Sequence, residues 1–121
     1  MPLLCGQIET DFSRSLLLRG LIRHGMVGET RESSHYREGH YIQIHLDSDI
    51  TIERIEQNEF LIRGDADDPS TLKRDSEALS LSLAKIGLRH RLEIYDDEHQ
   101  LIGYSHWNWP LETPAPSDTA I

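Results

Sequence analysis

The chain has 121 residues with 21 acidic and 12 basic side chains, a net charge of -9 and 37% hydrophobic residues. That length fits one domain with room for a core that needs no covalent staples. The charge argues against nucleic acid and anionic membrane surfaces as partners, since both require neutralising cations.

Residues 3–9 read as a short strand or an extended arm. Thr10 and Asp11 then offer N-cap oxygens for a first helix, and Phe12, Leu16, Leu17, Leu18, Leu21 and Ile22 give it one broad apolar face. Gly25 or Gly28 can supply a left-handed C-cap. Gly20, inside the helix, costs about 1 kcal/mol against alanine. Residues 29–39 are almost wholly polar and read as a mobile loop.

From Tyr41 the pattern changes to strict alternation. Ile42, Ile44 and Leu46 share one side and Tyr41, Gln43 and His45 the other, as in a half-buried strand. Asp47-Ser48-Asp49 makes a turn. Residues 50–55 continue as a second strand, where Ile55 breaks the alternation and signals a bulge. Gln57-Asn58 is a hairpin turn, and residues 60–64 form a third strand. Asp68 as cap, Pro69 at the first helical position, the stripe Leu72, Leu79, Leu83, Ile86 and the stop at Gly87 define a second helix over 69–86. Residues 89–95 and 101–107 are two further strands around an acidic turn, with Leu92 and Ile94 on one face.

The reading is an α+β domain over residues 1–109, with an antiparallel sheet of about five strands and two helices packed on one face, in the order α-β-β-β-α-β-β. The end of the chain, 110–121, holds three prolines among small polar residues and reads as a flexible tail.

Seven histidines invite a metal site, densest at His35, His40, His45, Asp47 and Asp49. On a continuous strand His45 and Asp47 would project together. No His-x-His, His-Glu-x-x-His or Cys-x-x-Cys spacing supports them, so no metal and no cofactor are expected. Cys5, the single cysteine, permits no internal disulfide and fits a reducing, cytoplasmic setting. It lies in no nucleophile motif and packs like a small apolar residue. Phosphate-binding and dinucleotide glycine patterns are absent from the sequence, which makes an enzyme the less favoured class. Ten arginines against two lysines point, by composition alone, to a GC-rich bacterial coding sequence.

The most unusual segment is Tyr104-Ser105-His106-Trp107-Asn108-Trp109-Pro110. If extended, it places both tryptophans on one face. Trp107 is expected to pack under a helix, and Trp109, just before Pro110, to be the surface anchor. Tyr104 and His106 complete a contact patch for a protein or sugar. Acidic residues cluster at 47–59, 65–68 and 93–98, a solvated surface or a face matched to a basic partner.

The element order and the acidity resemble those of class I type III secretion chaperones. These are small α+β proteins that dimerise and bind an unfolded effector segment. The likeness is one of topology and charge. Such chaperones close with a third helix, whereas this chain closes with an aromatic strand. The resemblance implies an effector chaperone and leaves a homodimer open; the charge, the size and the absence of catalytic motifs suit a non-catalytic module that binds another protein, either such a chaperone or an immunity-type inhibitor of a basic toxin. The competing expectation is a small enzyme or ligand-binding protein whose pocket on the sheet uses His45, His106 and neighbouring carboxylates.

Overall fold

A computed structural model describes residues 1–110. It contains β1 (Leu3–Glu9), α1 (Arg14–Arg23), β2 (Gly28–Glu32), β3 (His40–His45), β4 (Asp49–Glu56), β5 (Glu59–Asp65), α2 (Pro69–Ile86), β6 (Arg89–Tyr95) and β7 (Leu101–Trp107). The class is α+β, with two helices and one antiparallel sheet. The sheet has seven strands rather than about five, in the order β2-β3-β4-β5-β1-β6-β7. From residue 111 onward, the expected Pro-rich tail lies outside the described residues.

The two additional strands have different origins. β1 is the centre of the sheet, hydrogen-bonded to β5 on one side and β6 on the other. It joins the meander β2-β3-β4-β5 to the hairpin β6-β7. Its inward positions are Leu4, Gly6 and Ile8. Gly6 has no room for a side chain: a Cβ there would lie 2.4 Å from Leu92 Cδ2 and 2.6 Å from the Arg91 carbonyl oxygen. β2 comes from the segment read as a loop. It is a polar edge strand, exposed along nearly its whole length, and its pairing with β3 supplies the order that its side chains do not announce. The chain therefore opens on a strand, and the helix-first order behind the chaperone likeness is not the order of the fold.

Both helices lie on one face of the sheet. Leu17 and Leu21 of α1 and Leu72, Leu79 and Leu83 of α2 join Ile8, Ile42, Ile44, Ile50, Ile52, Phe60, Ile62, Leu92 and Ile94 in a single core. Helix α1 begins one turn later than Thr10 and Asp11 suggest, because the Ser13 hydroxyl accepts the Leu16 N–H and acts as the cap. Gly25 takes the left-handed conformation past its end, whereas Gly28 opens β2. Leu16 and Ile22 are exposed, so the buried stripe of α1 is narrower than the apolar face in the sequence.

Helix α2 follows its sequence signals throughout. The Asp68 carboxylate accepts the Thr71 N–H at 2.9 Å. Gly87 is left-handed, and the Leu88 N–H returns to the Leu83 carbonyl at 2.9 Å. The bulge expected at Ile55 is present as a register shift between Arg54 and Glu56.

Candidate functional site

Among the described residues, no helix or strand covers the sheet face opposite the helices, called here the bare face, as a one-sided antiparallel sheet allows. Its β6–β7 end carries most of the candidate residues. Arg91 pairs in register with His106, and Glu93 with Tyr104. These four residues therefore share the bare face, and the Tyr104 and His106 rings lie 5.1 Å apart. Trp107 registers opposite the buried His90, on the helix side. It does not pack under a helix as expected. At the sheet's edge its outer side lacks cover, and it stays 39% exposed.

The two tryptophans do not share a face. Asn108 has a φ of 54°, which breaks the alternation after β7. The turn carries Trp109 to the bare face, where its ring lies 5.4 Å from the Arg89 guanidinium carbon and 5.3 Å from that of Arg91. Such contacts contribute about 0.5–1 kcal/mol each at exposed sites. Arg89 is also ion-paired with Glu9 at 3.1 Å, and Arg91 Nε donates to Gln7 Oε1 at 2.7 Å. Trp109 is half-buried as a lid on two tethered arginines.

His45 and Asp47 part company. β3 ends at His45, whose Nε2 lies 2.8 Å from Glu29 on the bare face. Arg31, hydrogen-bonded to the same carboxylate, is the largest influence holding the Glu29 carboxyl below the usual range, and His45 adds to it. Asp47 instead turns to the helix side and receives the Arg74 guanidinium of α2 at 2.6 Å. The Asp47-Ser48-Asp49 turn is clamped to α2 a second time, because buried Asp75 accepts the Ser48 N–H at 2.8 Å.

His45 on β3 and His106 on β7 are separated by five strand spacings, or about 24 Å at ~4.8 Å each. No pocket on the sheet can combine them. Among the described residues, no group of three or more His, Cys, Asp or Glu is placed to hold a metal ion. No helix among the described residues is long and apolar enough to cross a membrane. Cys5 is exposed on the bare face.

Asp75 and His90 are among the buried polar residues that the sequence did not announce. Asp75 falls between Leu72 and Leu79 on the inward stripe of α2, and that position was its signal. His90 shares the inward alternation of Leu92 and Ile94. Its Nδ1 lies 2.9 Å from the Leu88 carbonyl and its Nε2 2.7 Å from Ser80 Oγ. The carbonyl can only accept, so Nδ1 carries the proton and Nε2 accepts from the serine hydroxyl. Burial holds the His90 imidazole below its ordinary pKa. Leu88 opposes this, and His106 adds a smaller depression.

The edges of the sheet differ in chemistry. β2 carries Glu29, Arg31 and Glu32 within five residues. β7 is Leu-Ile-Gly-Tyr-Ser-His-Trp, seven residues without Asp, Glu, Lys, Arg or Pro. Leu101, Tyr104 and Trp107 on it are exposed. Beside it, α2 and β7 border a cleft of about 250 Å³ lined by Lys73, Glu77, Ile94, Ile102, Gly103, Tyr104 and Ser105. No family model matches the chain, and no curated protein matches it.

Proposed function

We propose that this protein is a non-catalytic, cytoplasmic protein-binding module, of the immunity-inhibitor or effector-chaperone kind, that receives an extended segment of a partner along β7. The carrying observation is the β7 edge, which among the described residues pairs with no further strand and bears no charged side chain or proline. Edge strands ordinarily bear charges, prolines or bulges that discourage pairing with another chain, and β2 does bear charges. β7 has only a register shift at its beginning, between Ile94 and Tyr95 on the neighbouring strand. An added strand would gain main-chain hydrogen bonds, with side-chain selection beside them. Tyr104, Trp107 and Trp109 supply aromatic contact area of the kind that anchors protein interfaces. His106 joins Tyr104 and Trp109 on the bare face, Trp107 lies on the helix side of the same edge, and His45 and Asp47 fall outside this surface. The net charge of -9 would speed encounter with a basic partner, an effect that weakens as salt rises.

The test is capture of a partner from native lysate at low and high salt. Wild type is compared with Tyr104→Lys/Trp107→Lys, which places charge on the edge, and with Trp109→Ala. The expected result is a partner retained best at low salt, lost by the double variant and weakened by Trp109→Ala. All three proteins should melt within a few degrees of one another, and the bound partner should protect amides 101–107 from hydrogen exchange. No partner at low salt, or equal capture by the double variant, refutes the proposal.

A further inference from the structure

The α1–α2 seam holds a cleft of about 340 Å³, lined by Phe12, Leu16, Arg19, Gly20, Arg23, His24, Lys85 and Ile86. Its chemistry runs against that of the whole chain. The protein has 21 carboxylate side chains for 12 Lys and Arg, yet among the described residues no carboxylate lines this cleft. Among the described residues, seven of the twelve Lys and Arg side chains form ion pairs: Arg14, Arg31, Arg37, Arg63, Arg74, Arg89 and Arg91. Three of the other five, Arg19, Arg23 and Lys85, meet here.

Their arrangement costs stability. Arg19 and Arg23 are four residues apart on one helix, a spacing at which like charges repel, and Lys85 faces them from α2. The helix dipole favours Arg23 and Lys85, each in a last turn. It does not account for Arg19, one turn earlier. Gly20 brings the helices together: a Cβ there would sit 3.2 Å from Ile86 Cδ1. Ile86, Phe12 and Leu16 supply apolar wall, and the cations stand at the rim. A concave site in which a few polar groups converge beside apolar wall is a usual form of small-molecule site.

We infer that this cleft binds a small amphipathic anion, with a phosphate or carboxylate head held by Arg19, Arg23 and Lys85 and a compact apolar body against Phe12, Leu16 and Ile86. The site is independent of the β7 edge. A free molecule is the favoured source, because a net charge of -9 repels an anionic membrane surface.

Octyl phosphate and octanoate are the probes, followed by amide chemical shifts and calorimetry on the full chain. Saturable binding of at least one with Kd below about 1 mM is expected, with shifts centred on Gly20, Arg23 and Lys85. Inorganic phosphate should bind about tenfold more weakly or worse, and octyltrimethylammonium should not compete. Arg19→Glu/Lys85→Glu should raise Kd at least about tenfold. Lys73→Glu, at a cation outside the cleft, should leave it unchanged. All three substituted positions are exposed, and a circular dichroism melt checks the fold of each variant. Several results overturn the inference: no saturation by either probe, shifts centred elsewhere, equal affinity in the double variant, equal affinity for inorganic phosphate, or binding to phosphatidylglycerol vesicles without binding of the free probes.

Discussion

Replacing Gly6 by alanine tests the central position of β1. The strand is flanked on both sides, so it cannot move without disturbing one of two ladders. The new Cβ would lie 2.4 Å from Leu92 Cδ2 and 2.6 Å from the Arg91 carbonyl oxygen. The leucine can yield by leaving its rotamer, at about 0.5–1.5 kcal/mol. The carbonyl belongs to β6 and yields only if the strands separate, which weakens neighbouring ladder bonds worth about 1 kcal/mol each. Against this, alanine reduces the entropy of the unfolded chain, a gain of about 0.4–1 kcal/mol. The net expectation is a loss of about 2–3 kcal/mol, within the usual range for overpacking, or a melting point lowered by about 10 °C for a chain of this length. Urea denaturation and a thermal melt measure it. Gly103→Ala is the control: the nearest atoms to its Cβ would be those of the Ile94 side chain, from 3.2 Å, which can give way more readily than backbone. A Gly6→Ala loss below about 0.5 kcal/mol, the scale of a surface change, would refute the central packing of β1.

Leu83→Ala should cost about 2–5 kcal/mol in chemical denaturation, since Leu83 is fully buried in the stripe of α2. Asp75→Ala leaves the buried Ser48 N–H without its acceptor and should cost about 1–3 kcal/mol. Asp75→Asn, which keeps a carbonyl oxygen there, should cost less, and equal losses would mean that this hydrogen bond is not the cause. His90 is held neutral by burial, with its folded pKa below the unfolded value of about 6.5. Its contribution is therefore fully present above pH ~6.5 and is lost as pH falls from there through the lowered folded pKa. Denaturation curves at pH 7.5 and 5.0 should differ less in His90→Gln than in wild type, and an unchanged difference would place the pH response elsewhere.

Local chemistry was enough for the elements whose determinants are contiguous. Asp68, Pro69, the leucine stripe and Gly87 define α2 because capping and periodicity act within a few residues. The alternation of β3 and the hairpin at Gln57-Asn58 are legible for the same reason. Pairing partners are not local. Nothing within Leu3–Glu9 says that two strands will close on it. The polar stretch at Gly28–Glu32 becomes a strand because β3 offers its backbone a partner and an edge strand needs no apolar face. The faces of Trp107 and Trp109 depend on one backbone angle at Asn108, which a strict period of two cannot foresee. Separation in sequence hides the α1–α2 cleft in the same way. Arg19 and Arg23 look like the solvated side of one helix and Lys85 like the end of another. Only packing Gly20 against Ile86 turns three surface charges into one site.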